Sequence, residues 1–385
     1  MIYLDNAATS WPKPPCVLEA VRNWFERLGV DASRGTSVRH QEVGRILADL
    51  RRLLAEEHGT EASRVILCSG ATEAANLFLK GICRPGMRVW TTALEHNAVL
   101  RPLVGLRERR DLRLRVLEPG PSGVVEASDL TRALEAGPPP DLLVCNHASN
   151  VSGAVQDLAA LGRLAKEAGA LVLADVAQTS GRLDLQGLPV DAMIVPGHKA
   201  WWGPPGTGAL CLSPEAPVPL PLHEGGTGST RALDRMPETL PEALEAGTPN
   251  TPGFCGWLAS ILHVRREGRG TLLARELEAR NRLWELLAPG EEEGLWRRTP
   301  PAPGRPLVPV LSLVLVDLDP VEVGMGLEQE GIQVRTGFHC APYIHRHLGS
   351  LEAGTLRLSP GTDCGSEAME EVARTLETLC RTLRD

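Results

Sequence analysis

The chain has 385 residues, with 40 Lys and Arg against 48 Asp and Glu, a net charge of -8 and 43% hydrophobic residues. That length exceeds what one hydrophobic core usually serves, so two units are expected, each able to fold without disulfide or metal staples. The acidic balance and scattered basic residues argue against a nucleic-acid partner, and no apolar run is long enough to span a membrane. The N-terminus shows no basic region leading into an apolar stretch, and the nine cysteines form neither a CxxC pair nor a zinc-like spacing with histidines. A reducing, cytoplasmic setting with no structural metal is the expectation.

In chain order, a helical stretch near residues 14–28 comes first and could pack on either unit. From Arg64 to Leu212 short β-rich runs then alternate with helical patterns: RVILCS, ATEAANLFLKGI, MRVWTT, HNAVLRPLVGLRER, DLLVCNH, LAALGRLAKEAG, LVLADV, AMIVPG and TGALCL. Continuous apolar strands in this rhythm predict a mainly parallel sheet flanked by helices, an α/β architecture. The tract 287–306, rich in Pro, Gly and charge, is predicted as a surface connection. Beyond it VPVLSLVLVD, a helix near 320–330, IQVRTG, TLRLS and a closing helix from about 365 predict a smaller C-terminal α/β module. The expected division is a large unit over 30–252 and a small one made of 1–29 and 253–385.

In open α/β sheets ligands collect beyond the carboxyl ends of the strands. There the sequence places Ala71 and Thr72 at a helix start, then His96, Asn150, Asp175 with Gln178, and His198 with Lys199. Each alone has a bland reading as a cap, a satisfied loop histidine or a solvated lysine. Together they supply helix N–H groups and a hydroxyl for a phosphate, a buried carboxylate for a protonated ring nitrogen, a histidine for a ring face and a lysine for an aldehyde. That combination describes pyridoxal 5'-phosphate.

The motifs YLDNAATS, SGATEAANL, EHNAV, SNVSG, DVAQTSG, GHK, EAGTPNT, RTGFHCAP and TLRLSPG run nearly the whole chain. In this order they resemble the class V aminotransferase-fold enzymes, in particular the cysteine desulfurase and selenocysteine lyase branch. The resemblance implies the fold type I architecture of pyridoxal-phosphate-dependent transferases, with Lys199 holding the cofactor, Asp175 pairing with its ring nitrogen, Gln178 touching its ring hydroxyl and His96 stacking on the ring. It further implies Thr72 and His198 as phosphate ligands, with Thr248 reaching the phosphate from a second subunit, and hence a homodimer. Arg357, helped by Asn150, is implied as the clamp on the substrate carboxylate. Arg335, His339 and Arg34 are implied as neighbours in the cleft.

The resemblance implies Cys340 as the nucleophile that takes sulfur from L-cysteine and releases alanine, with a sulfur-acceptor protein as a possible further partner; the other eight cysteines read as small buried hydrophobes. A selenocysteine lyase, a β-eliminating cyst(e)ine lyase and a non-catalytic sulfur-partner scaffold remain open beside the desulfurase. Three departures from the family pattern stand out: Pro196 replaces a usual Ser or Thr, Ala200-Trp201-Trp202 lengthens the spacing after Lys199, and the cysteine loop is short. The glycine-rich HEGGTGST at 223–230 lacks the Lys-Ser/Thr of a nucleotide loop and is expected to turn near the cofactor cleft or the subunit interface.

Overall fold

The computed structural model describes residues 1–31, 35–227, 234–299 and 307–384. Arg34, the end of the glycine-rich stretch and residues 300–306 lie outside the described residues. The chain enters through β1 (Ile2–Tyr3), α1 (Pro15–Asn23), extended by a π-helical turn to Leu28, and α2 (Val38–His58). Then follow β2 (Val65–Cys68), α3 (Ala71–Ile82), β3 (Arg88–Thr92), α4 (Asn97–Arg110), β4 (Arg113–Leu117), α5 (Ala127–Glu135), β5 (Leu142–Asn146), α6 (Leu158–Glu167), β6 (Leu171–Asp175), β7 (Ala192–Pro196) and β8 (Gly208–Leu212). The remainder is α7 (Thr251–Glu267), α8 (Arg269–Leu286), α9 (Ala288–Glu292), β9 (Trp296–Arg298), β10 (Leu311–Leu315), α10 (Pro320–Gln329), β11 (Ile332–Gln333), β12 (Arg335–Gly337), α11 (Ile344–Leu348), β13 (Thr355–Leu358) and α12 (Ser366–Arg384).

The large sheet has the order β2-β8-β7-β6-β5-β3-β4, and β8 alone runs against its neighbours. Strands β5, β7 and β8 are buried along their whole length, and β3 and β6 at all but their first residue, because helices cover both faces. Alternate residues go to opposite cores. Leu143, Cys145, Val172 and Ala174 pack with α2, α5, α6 and α7, whereas Leu142, Val144, Leu173 and Ile194 pack with α3 and α4. Edge strand β4, RLRVL, was not among the expected strands; it is half-exposed, so its alternation of basic and apolar residues is the surface pattern of an edge.

The smaller sheet, β12-β13-β10-β9, is antiparallel at every pairing and packs with α8, α10 and α12 around Leu311, Leu313, Leu356 and Leu358. Residues 287–299 of the tract expected as a surface connection are instead structured. Trp296 is buried over Gly290, where an added Cβ would lie 2.1 Å from the indole, and β9 completes the sheet. The cores also group the chain differently from an expected boundary at 252. Phe254, Trp257, Ile261 and Val264 of α7 join the core under the large sheet, and α1 packs on α7, while β1 pairs with β11 and Leu4 joins the small core. We propose that the units divide at Gly268, between α7 and α8, where φ is 85°.

Candidate active site

Strands β2, β3, β5, β6 and β7 run in one direction, so their carboxyl ends meet along one edge of the sheet. A cavity of about 380 Å³ opens there, within the range of small-molecule sites. The large unit lines it with Ala71, Thr72, His96, Asn150, Asp175, Gln178, His198 and Lys199, and the small unit adds Arg335, His339, Cys340 and Arg357. Thr248 is not among these residues. It lines a second groove of about 850 Å³ with His223, Gly226 and Thr227 of the glycine-rich stretch, and the two cavities share Ser69, Glu73 and Gly206.

Lys199 stands three residues beyond the end of β7. It faces the cavity and is only partly covered, but desolvation by the protein around its amine pushes its pKa down to about 8; Asp175 opposes this and Arg357 adds to it. The backbone around it is held from both sides. Ser10 N–H and Lys13 Nζ donate to the His198 carbonyl, at 3.1 and 2.9 Å. Trp202 N–H donates to the Lys199 carbonyl at 2.7 Å, and the Trp201 indole N–H donates to Ser180 Oγ at 2.7 Å. Ser180 in turn bonds His58 Nε2, whose other ring nitrogen meets the Leu54 carbonyl. The two tryptophans after the lysine are therefore anchors that fix its loop in the core.

Asp175 ends β6. Its Oδ1 accepts from Ala177 N–H at 2.9 Å, burial raises its pKa, and among the described residues no cation is paired with it. Gln178 donates through Nε2 to the Ala7 carbonyl, leaving Oε1 buried without a partner. His96 caps α4: Nδ1 accepts from Ala98 N–H at 3.0 Å, and burial, reinforced by the charges of Lys199 and Arg357, holds its pKa down to about 3. The imidazole is neutral with its proton on Nε2. Below it lies Glu95, whose Oε1 accepts from the Thr92 hydroxyl and from Asn146 N–H, both at 2.7 Å. Burial lifts Glu95 to about 8, so it is largely protonated near neutral pH.

At the other end of the large sheet, α3 begins after Gly70 and presents its first N–H groups to the cavity. The start of α3 rests on β8: a Cβ on Gly208 would sit 2.5 Å from Gly70 Cα, which makes glycine obligatory at that crossing. His198 is held neutral, its pKa pushed down to about 4 by burial first and then by the charges of Lys199 and Lys13. Pro196 lines the cavity and has no N–H to offer.

On the small-unit side, Arg357 is 2% exposed and donates to Asp5 Oδ1 at 2.5 Å and to the Asn150 carbonyl at 3.1 Å. Asn150 thus meets Arg357 through its backbone, while its side-chain Nδ2 donates to the His339 carbonyl at 2.7 Å. Asn97 N–H donates to the Cys340 carbonyl at 2.6 Å. The cysteine loop is pinned to the large unit at two successive carbonyls, and both His339 and Cys340 are in the left-handed region, with φ of 49° and 56°. Of the nine cysteines, Cys340 alone is exposed.

A profile of the class-V aminotransferases matches residues 2–372. The chain belongs to the class-V aminotransferase family. Among its relatives, a probable cysteine desulfurase of Pseudomonas aeruginosa is 31% identical over 395 residues, spanning 100% of this chain and 95% of that protein. The probable cysteine desulfurase of Methanothermobacter thermautotrophicus is 30% identical over 394 residues, 98% of this chain and 94% of that one. The apo structure of a cysteine desulfurase from Thermococcus onnurineus NA1 superposes with a TM-score of 0.89 at 29% identity, covering 99% of this chain and 95% of that chain.

The class-V aminotransferase fold thus accounts for the order of the motifs. The site residues to which sequence reasoning gave no role are Asp5, Glu95, Asn146 and Gly208. Asp5 and Glu95 stood inside the quoted motifs YLDNAATS and EHNAV, but nothing local marks them as partners of Arg357 and Asn146, which lie far along the chain. The donor set suits pyridoxal phosphate: an unpaired buried carboxylate, an orphaned buried amide oxygen, a neutral imidazole, a helix start and an amine with a lowered pKa line one cavity. Among the described residues, no helix is long and apolar enough to cross a membrane.

Proposed function

We propose that this chain is a pyridoxal 5'-phosphate-dependent L-cysteine desulfurase. The observation that carries the reading is that an exposed cysteine, a buried arginine and a lysine of lowered pKa line the same cavity. Lys199 would anchor the cofactor through its amine, Asp175 would face the ring nitrogen, Gln178 the ring hydroxyl and His96 the ring. Ala71, Thr72 and His198 would take the phosphate, with Thr248 of a second copy. When bound, the cofactor supplies an electron sink for the substrate α-carbon.

The chain's own residues do the rest. Arg357 and Arg335 orient the substrate through its carboxylate, since guanidinium forks bind carboxylates with direction as well as charge. Lys199 Nζ, poised near neutral pH, takes the proton from the substrate α-carbon and returns a proton to the product. The Cys340 thiolate attacks the substrate sulfur; the carbon–sulfur bond breaks, Cys340 keeps the sulfur as a persulfide, and the three-carbon remainder leaves as alanine once protonated. Thiol plus cysteine equals persulfide plus alanine, so no external oxidant or reductant enters. A thiol-bearing acceptor protein or small thiol then removes the sulfur, and nine unpaired cysteines suit a reducing cytoplasm.

The test is product identity. Purified protein given cysteine is expected to yield alanine and a persulfide on the peptide RTGFHCAPY, and Cys340→Ser to bind cysteine yet release under about 1% of the wild-type alanine, on the scale of losses from deleting a nucleophile. Pyruvate as the main product, with Cys340→Ser as active as wild type, would replace this reading by a β-eliminating lyase. Alanine made from selenocysteine far in preference to cysteine would instead make it a selenocysteine lyase.

A further inference from the structure

Under the cysteine loop lies a histidine that the reaction itself does not touch. His345, in α11, is fully buried, and its Nδ1 stands 2.8 Å from Ser350 Oγ. Its ring meets two residues of the loop, Phe338 edge-on at 5.1 Å between ring centroids and His339 tilted at 6.0 Å. Ser350 is fixed in turn. Its N–H donates to the His345 carbonyl and its own carbonyl accepts from Gly354 N–H, both at 2.9 Å. Gly354 packs so tightly on Gly337, at the end of β12, that an added Cβ would lie 2.4 Å from the Gly337 carbonyl carbon. A looser contact with the Phe338 backbone leaves the buried Nε2 of His345 without a full hydrogen bond. An incompletely satisfied buried nitrogen costs the fold stability, so stability alone does not account for a histidine at this position.

The loop needs support. His339 and Cys340 are successive non-glycine residues at φ of 49° and 56°, and such backbone persists only where its surroundings over-determine it. Two restraints come from the side of the large sheet, Asn150 Nδ2 on the His339 carbonyl and Asn97 N–H on the Cys340 carbonyl. The others come from the loop's own side: Ala341 N–H closes on the Phe338 carbonyl at 2.8 Å, and His339 Nε2 meets Thr355 Oγ1 at 2.8 Å. Burial keeps both imidazoles uncharged, with the charge of Arg357 adding to it at His339, so the two rings pack without repulsion. We propose that His345 is a positioning residue for Cys340: clipped to Ser350, it supports Phe338 and His339 from beneath and so keeps the thiol at the cavity. Cys340 is exposed, so its own side-chain packing does not fix where the sulfur points and the loop backbone must do so. A reacting group misplaced by about 1 Å loses on the order of a hundredfold in rate.

The inference rests on reading Cys340 as the nucleophile, and the experiment separates the two. Two quantities are measured on the cofactor-loaded protein: amide hydrogen exchange in the peptide RTGFHCAPY, and kcat and KM for alanine formation from cysteine. His345→Asn keeps an amide for Ser350 and removes the ring under the loop. In this variant exchange in the peptide is expected to quicken about tenfold. Its kcat is expected to fall about tenfold to a hundredfold with KM held within about twofold, because Lys199 and Arg357 are untouched. A wild-type value for either exchange or kcat overturns the proposal. A rise in KM that matches the loss of kcat makes His345 merely structural and overturns it too. Should His345→Asn fail to fold, Ser350→Ala, which removes only the clip, must show the same two changes, each about threefold or more; wild-type values again overturn it. If Cys340→Ser makes alanine from cysteine as fast as wild type, the nucleophile reading itself falls and takes this inference with it.

Discussion

Glu95 and Asp175 are buried carboxyl groups, both raised by desolvation, yet they do different work. Asp175 faces the cavity, whereas Glu95 lies beneath it and holds Asn146 N–H and the Thr92 hydroxyl. Glu95 moves from 4.5 to about 8 on folding, so between those values the folded chain keeps a proton that the unfolded chain has released. Stability supplied by this group is therefore present below pH 4.5 and is lost as pH rises through 8. Glu95→Gln keeps the acceptor and cannot ionise; relative to wild type it is expected to gain on the order of a few kcal/mol between pH 5 and 8.5, read from urea midpoints. His96, His147 and His198, held neutral by burial, act in the opposite sense below pH 6.5 in both proteins and cancel in the difference. Parallel curves for the two proteins would show that Glu95 ionises normally. None of this was legible locally, because a glutamate beside a histidine says nothing about depth.

At the scale of elements, the phosphate end of the cavity depends on how closely α3 approaches β8. Gly208→Ala places a methyl group 2.5 Å from Gly70 Cα, so the helix start must shift, at a cost of about 1 to 3 kcal/mol for overpacking. Pyridoxal phosphate retention on dialysis is expected to weaken roughly tenfold, since N–H groups at a helix start hold an anion only when aimed at it. Retention equal to wild type would detach the α3 terminus from phosphate binding. Inner strands such as LLVCN announced themselves by continuous apolar runs. Strand β9 did not, because WRR becomes a strand only by pairing with β10, and the neighbouring α9, with Pro289 and Gly290 in it, carries the composition of a loop. A buried tryptophan over a glycine is a contact, not a pattern, and composition alone does not reveal it.

For the whole molecule, the site draws on two sheets. The carboxyl ends of the seven-stranded sheet bring Lys199, Asp175 and His96, the four-stranded sheet and the loop after β12 bring Arg357 and Cys340, and the N-terminal segment crosses between them to carry Asp5. Thr248 lies in the adjoining groove that shares Ser69, Glu73 and Gly206 with the cavity, which suits a residue that serves a second copy. Mass measurement in solution is expected to give a dimer in the active fraction, as isologous pairing would produce. Thr248→Ala is expected to weaken cofactor retention without dissociating it. An active monomer would remove Thr248 from the phosphate site.

By itself the sequence determined the α/β alternation, the strand ends where chemistry gathers, and the residue types that converge there, because apolar runs and their terminal polar residues are local features. Tertiary structure alone decided which charge faces which. Asp5 meets an arginine 352 positions away, Asn150 spends its side chain on the cysteine loop, and Thr248 lies outside the cavity. It also settled that α7 packs under the large sheet. Burial and pairing set these energies, and both are properties of the packed chain, invisible until distant segments are brought within a hydrogen bond of one another.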